Sequence, residues 1–195
     1  LQSPADVHAF FVRHSSEEEL ESLLNGSDPR AHELYEAFEN SDGTTYLDDA
    51  MAADITTYLP DDLLVKVDRA SMAHSLEVRS PFLDHRFVEF AARIPSKYKW
   101  RRGEKKWILK RAFEDDLPHD VLHRSKQGFD VPVNEWFRGE LRPTMAEAVD
   151  RLGDRPRFET SELRRVFDDH VAERADNGYR LWDVLMLERW FERFI

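Results

Sequence analysis

Cysteine is absent from this chain of 195 residues. The protein therefore has no disulfide, no thiolate metal ligand and no cysteine nucleophile. Glycine is scarce, and each glycine stands alone, at positions 26, 43, 103, 128, 139, 153 and 178. None of the phosphate-binding patterns GxGxxG, GxxxxGK[ST] or serine–glycine–glycine occurs. The chain thus lacks a glycine-rich loop that could enclose a phosphate group.

Long apolar runs are missing too, so the sequence predicts no membrane-spanning helix and no membrane partner. The first residues, Leu1 to Pro4, do not resemble a signal peptide, and we expect a cytoplasmic protein whose chain begins before residue 1. A net charge of −11 opposes binding to the phosphate backbone of nucleic acid. We therefore expect no nucleic-acid partner.

Helical patterns dominate the sequence and predict a mainly α fold. Ser16 and Glu19 form a capping box at the start of one helix. Apolar residues from Leu163 to Val171 recur at helical spacing. Those from Tyr179 to Ile195 cover most of a helix, which predicts a largely buried segment. A helix is also expected over Glu104 to Phe113, with its apolar residues 107 to 109 facing inward.

The stretch from Tyr58 to Asp84 is the most informative part of the chain. One helix is expected to run up to Pro60, and helical spacing of leucines predicts a second helix that starts near this proline. Apolar and charged residues then alternate from Leu76 to Arg79. This alternation predicts an extended segment with Glu77 and Arg79 on one side.

The segment SLEVRSPFLD, residues 75 to 84, is followed by Lys106 and by HRSKQGF, residues 123 to 129. In this order the motifs resemble the synthetase domain of glutamine-dependent asparagine synthetases, and the resemblance is good from Asp48 to Arg142. It implies that residues 1–195 form the helical C-terminal portion of an α/β adenine-nucleotide-binding domain of the PP-loop ATP pyrophosphatase type. The nucleotide-binding sheet is absent from this chain, because the SGGxDS loop and the acidic GxGxDE segment of that family do not occur in it.

The resemblance also implies an activity for the parent protein. A carboxylate, typically that of aspartate, would be activated by ATP as an acyl-adenylate and then converted to an amide by ammonia from glutamine. ATP and Mg²⁺ are the implied cofactors, with the magnesium ligands outside this chain. The implied partners are the PP-loop half and a glutaminase domain of the same protein, and a homodimer is a further assembly that the resemblance permits. The chain alone is expected to be inactive.

Two alternatives stay open at this point. The parent protein could amidate another carboxylate, as relatives in polysaccharide and peptide pathways do. The chain could instead be a helical interaction module without catalysis.

Two lysines, Lys106 and Lys126, are the catalytic residues that the resemblance implies. They would contact the phosphates of ATP and of the leaving pyrophosphate, whose negative charge an ammonium group stabilises. Lys105 is the alternative to Lys106 if the register differs by one residue.

The pair Glu77 and Arg79 has two readings. It could bind the substrate carboxylate, or it could form a buried ion pair that braces helices. His119 and His123 have the spacing of metal ligands on a helix, but no third ligand lies near them in the sequence. No metal site is therefore expected within this chain.

Overall fold

The computed structural model describes residues 3–26, 32–125 and 131–195. The chain divides into two compact units: the first comprises Leu1–Ala9 and His32–Gln127, and the second comprises Phe10–Ala31 and Gly128–Ile195. The described residues are mainly helical, with one two-stranded sheet, so the mainly α fold predicted from the sequence is confirmed. The helices are Pro4–Val12 (α1), Glu17–Leu23 (α2), His32–Glu39 (α3), Tyr46–Thr56 (α4), Val65–Met72 (α5), His85–Arg93 (α6), Ser96–Lys99 (α7), Trp107–Ala112 (α8), His119–His123 (α9), Val133–Arg138 (α10), Arg142–Gly153 (α11), Thr160–Val171 (α12) and Gly178–Phe194 (α13).

The second unit is a helical bundle in which α11, α12 and α13 pack against one another and α10 packs on all three. Its core is large and apolar: Leu23, Val133, Phe137, Met145, Ala148, Val149, Leu152, Phe158, Leu163, Val166, Phe167, Leu181, Val184 and Leu185. The capping box is confirmed, because Ser16 Oγ accepts from Glu19 N at 3.2 Å and Glu19 Oε2 accepts from Ser16 N at 2.8 Å. The helical spacing predicted for residues 163 to 171 is confirmed too.

The last helix, α13, differs from its prediction. One face is buried in the core of the second unit, but Met186, Trp190 and Phe194 are exposed. The expectation of a largely buried segment was wrong, because the bundle covers α13 on one side only. Apolar residues on the other side form an aromatic cluster in which Trp190 contacts Phe191 and Phe194.

Two helical segments of the first unit follow each other closely around Pro60. Helix α4 ends at Thr56, and a π-helical turn over Leu59–Leu64 leads directly into α5. The helix expected to start near Pro60 is confirmed, because Pro60 lies in the first turn of this π-helical segment, while the preceding helix ends earlier than expected, at Thr56. A proline is tolerated in a first turn, since a backbone N–H at that position would have no partner within the helix.

A short hairpin precedes α8. Strand Trp100–Arg101 (β1) pairs antiparallel with Glu104–Lys105 (β2), and Arg102 and Gly103 at the turn have positive φ angles of 52° and 85°. The helix predicted from Glu104 therefore begins only at Trp107. Ile108 is exposed rather than inward, while Trp107 and Leu109 are half-buried.

The core of the first unit is small. It consists of Ala5, Phe38, Ala50 and Ala53, in which α1, α3 and α4 meet. None of the residues from 54 to 125 is buried, although this range is rich in large apolar side chains. The first unit thus presents a wide apolar surface.

Candidate functional site

The extended segment from Leu76 to Ser80 is held at both ends by local hydrogen bonds. At its start, Ser75 has a left-handed backbone with φ of 57°, and Leu76 N donates to Ser71 O at 3.0 Å, as in a Schellman cap. At its end, Asp84 caps helix α6 by accepting from Arg86 N at 3.0 Å. Residues 76 to 80 belong to no helix, strand or turn, and Ser80 has extended backbone angles, with φ of −82° and ψ of 124°, in keeping with the predicted extended segment.

Glu77 and Arg79 lie on one side of this segment and contact each other. Arg79 Nη2 lies 2.6 Å from Glu77 Oε1, and Arg79 Nε donates to the same oxygen at 2.8 Å. The side chains are 86% exposed for Arg79 and 66% exposed for Glu77. Within this chain, therefore, the pair is exposed and is not a buried brace. An ion pair this exposed contributes about 0–1 kcal/mol to stability. The substrate-binding role of the pair stays a prediction.

Lys106 occupies the junction between the hairpin and α8. Its backbone is left-handed, with φ of 58°, and its carbonyl oxygen accepts the first hydrogen bond of α8 from Lys110 N at 3.0 Å. A non-glycine residue in this conformation costs roughly 1–3 kcal/mol, and such strain recurs at functional sites. Ser75, Arg102 and Glu173 share this conformation, so it does not by itself distinguish Lys106. The side chain of Lys106 is exposed.

The surroundings of Lys106 are strongly basic in an otherwise acidic protein. Lysine or arginine occupies positions 97, 99, 101, 102, 105, 106, 110 and 111, and Glu104 is the only acidic residue in that range. The Arg101 guanidinium lies 4.6 Å above the Trp107 ring, which stacks with Tyr98 at 6.2 Å. Aromatic residues therefore anchor this basic surface, which suits a ligand with several negative charges.

Glu104 was not singled out by the sequence, yet it connects three elements of the first unit. Its Oε1 accepts from Lys110 Nζ in α8 at 2.9 Å and lies 3.2 Å from His123 Nδ1 in α9. The hydrogen bond from Lys110, helped by the charges of Lys110, His123 and Arg111, holds the pKa of Glu104 below its usual range. No simple spacing joins positions 104, 110 and 123, so the sequence offered no signal for this contact.

Lys126 lies outside the described residues, together with residues 127 to 130. Its role, and that of the KQGF motif, stays a prediction.

His119 and His123 stack with ring centroids 4.5 Å apart. No group of three or more histidine, aspartate or glutamate side chains suited to a metal occurs among the described residues. Across the same residues, no helix is long and apolar enough to cross a membrane.

An open cleft of about 500 Å³ lies in the first unit, between α3 and the turns that follow α4. Its lining includes Glu33, Glu36, Asp42 and Asp61. These carboxylates would repel the phosphates of a nucleotide, so the basic surface around Lys106 is the better candidate for an anionic ligand.

Comparison with known proteins places these features in a family context. The family model described as asparagine synthase matches residues 1–192. A protein of Bacillus subtilis named asparagine synthetase [glutamine-hydrolyzing] 1 is 32% identical over 153 residues, which make up 78% of this chain and 24% of that protein. A putative asparagine synthetase [glutamine-hydrolyzing] of Mycobacterium tuberculosis is 38% identical over 143 residues, or 73% of this chain and 22% of that protein. The chain thus spans about a quarter of the length of these relatives. No solved structure matches it.

Proposed function

The chain belongs to the asparagine synthase family, and we propose that it forms the helical C-terminal part of a synthetase domain that makes an amide from a carboxylate, ATP and ammonia. The observation that carries this proposal is the family match over residues 1–192. Relatives that share most of this chain are named as glutamine-hydrolysing asparagine synthetases. Aspartate is accordingly the proposed substrate, and glutamine the proposed source of ammonia.

The exposed apolar surface of the first unit supports a partner within the same protein. No residue from 54 to 125 is buried. Phe90 in α6 is 62% exposed, and Phe82 and Phe87 pack edge to face on each other at 5.3 Å while both stay exposed. Extensive apolar surface of this kind marks an interface. We assign this surface to contact with the nucleotide-binding half of the synthetase domain. About three quarters of the length of the relatives lies outside the match, which is enough for such a half.

The proposed chemistry uses the basic surface around Lys106. Attack of the substrate carboxylate on the α-phosphate of ATP forms the new acyl–phosphate bond and breaks the bond to pyrophosphate, so negative charge grows on the leaving group. The ammonium groups of Lys106 and Lys126 stabilise that charge. Arg79 binds the substrate carboxylate through its guanidinium, and Glu77, 2.6 Å away, orients it. Magnesium, held by ligands outside this chain, would supply further positive charge at the phosphates.

The test is an exchange assay on the full-length protein. Incubation with ATP, Mg²⁺, aspartate and labelled pyrophosphate should incorporate label into ATP, because adenylation is reversible. Omission of aspartate is the control. Absence of aspartate-dependent exchange, in a preparation that hydrolyses glutamine normally, would remove aspartate as the substrate.

Two other functions make different predictions in the same assay. An amidotransferase of a polysaccharide or peptide pathway would exchange pyrophosphate with another carboxylate and not with aspartate. A non-catalytic helical module would show no exchange with any carboxylate.

A further inference from the structure

We propose that Glu104 is a positioning residue that fixes Lys106 in place and ties the start of α8 to α9. This inference rests on the proposed function, because it assumes that Lys106 acts on the phosphates of ATP. It goes further by assigning a role to the Glu104 carboxylate, which is negatively charged like the phosphates and would not bind them itself.

The first contact of Glu104 closes the turn that carries Lys106. Glu104 precedes Lys106 by two residues, and Lys110, its partner at 2.9 Å, lies one helical turn after Lys106. The Lys106 carbonyl oxygen also accepts from Lys110 N at 3.0 Å. The left-handed backbone of Lys106, with φ of 58°, is thus enclosed by a side-chain bridge on one side and a helical hydrogen bond on the other. Such enclosure lets a strained residue keep a single conformation.

The second contact reaches α9. His123 Nδ1 lies 3.2 Å from the same Glu104 oxygen, and His123 precedes Lys126 by three residues in the sequence. His119 stacks on the His123 ring at 4.5 Å and limits its rotation. One carboxylate oxygen therefore joins the start of α8, beside Lys106, to the end of α9, just before Lys126.

The three side chains are well placed to act as a fixed unit. Their exposed fractions are 24% for Lys110, 32% for Glu104 and 38% for His123, so all are partly shielded from water. Contacts of this kind are stronger than those between fully exposed charges. Glu104 is the single acidic residue between positions 97 and 111, and its negative charge by itself would weaken the binding of phosphate. A role in holding Lys106 accounts for a carboxylate at this position.

The experiment compares variants of the full-length protein in aspartate-dependent pyrophosphate exchange. Glu104→Ala removes both contacts and should lower the exchange rate by about tenfold. Glu104→Gln keeps an acceptor oxygen for Lys110 and His123 and should stay within about threefold of the wild type. Glu114→Ala is the matched control: it removes the same charge from an exposed partner of Arg111 at 2.6 Å and should leave the rate unchanged.

A double-variant cycle separates positioning from general damage. If Glu104 acts through Lys106, Glu104→Ala should cause little further loss, less than about twofold, in a Lys106→Ala background. Additive losses would overturn the proposal, and so would an unchanged rate for Glu104→Ala. A melting temperature of Glu104→Ala several degrees below that of the wild type, with no rescue by Glu104→Gln, would also overturn it. Failure of the proposed function gives a different result: the wild type itself would then show no aspartate-dependent exchange of pyrophosphate.

Discussion

The imidazole of His170 accepts a hydrogen bond at Nδ1 from the backbone N–H of Asn177, 3.1 Å away. Since Nδ1 is the acceptor, the proton is on Nε2, which lies 3.1 Å from the carbonyl oxygen of Asn134. His170 is fully buried in the second unit, and this burial lowers its pKa below the usual 6.5. A neutral imidazole thus links α10, α12 and the start of α13.

The first prediction concerns acid. A histidine whose pKa is lowered by folding stabilises the protein above the unfolded pKa of 6.5, and this stability is lost as the pH falls below that value. We expect the free energy of unfolding of the second unit to decrease between pH 7 and pH 5. Urea unfolding curves across this range, monitored by tryptophan fluorescence, measure it. In His170→Gln the decrease should be much smaller, and an equal slope in both proteins would exclude His170 as its cause.

The second prediction concerns Asp48, which links α4 to α7. It accepts hydrogen bonds from Ser96 at 2.7 Å, from Thr45 at 2.8 Å and from Lys99 at 3.3 Å. Partial burial alone would raise the pKa of Asp48, but these three bonds outweigh it and lower the pKa to about 2. Asp48→Asn should cost about 2 kcal/mol of stability at neutral pH, since bonds to a charged acceptor are lost.

The stabilisation by Asp48 should be present above the unfolded pKa of 3.8 and disappear as the pH falls towards about 2. The difference in free energy of unfolding between the wild type and Asp48→Asn should therefore be smaller at pH 3 than at pH 7. Asp42→Asn, which neutralises an exposed carboxylate nearby, is the control for charge alone. If Asp48→Asn and Asp42→Asn lowered the free energy of unfolding equally, the hydrogen bonds to Asp48 would contribute nothing beyond the loss of one negative charge.

The third prediction concerns the two lysines. In the full-length protein, Lys106→Ala and Lys126→Ala should each lower adenylation by about a hundredfold, because one preorganised positive charge is lost from the transition state. Glutamine hydrolysis should stay nearly intact. Lys105→Ala tests the register and should have a small effect, since Lys105 belongs to β2 and pairs with Trp100. A larger effect at Lys105 than at Lys106 would exchange their roles.

The fourth prediction follows from the exposure of Arg79. In the isolated chain the Arg79–Glu77 pair is exposed and contributes about 0–1 kcal/mol, so Arg79→Met should leave the melting temperature of that chain nearly unchanged. If Arg79 binds the substrate carboxylate, the same variant should raise the KM for aspartate by about tenfold or more while the KM for ATP changes little. Arg93→Met, an exposed arginine at the end of α6, is the matched control. A normal KM for aspartate would remove Arg79 from the substrate site.

Local signals in the sequence predicted local structure well. The capping box of Ser16 and Glu19 depends on neighbouring residues and is confirmed. The alternation from Leu76 to Arg79 predicted that Glu77 and Arg79 share a side, and the two side chains do contact each other. It could not predict their exposure, because alternation determines which side a residue faces and not what covers that side.

One local feature was missed: Glu104 and Lys105 have good helix propensity, yet the tight turn at Arg102 and Gly103 places them in a strand. Contacts between residues far apart in the sequence could not be predicted from it. The contact between Glu104 and His123 joins residues nineteen positions apart in separate elements, so no period could reveal it.

The π-helical turn over Leu59–Leu64 also determines the direction in which the side chains after it point. Each residue of an α-helix advances the direction of its side chain by about 100°, so a turn with one additional residue offsets everything after it by that angle. The π turn leads directly into α5, so its length determines the direction in which the side chains of α5 point. Deletion of a single residue from this turn would rotate α5 relative to the start of the turn. It would swing α5, and the Glu77–Arg79 segment behind it, by more than a quarter of a revolution without altering either residue.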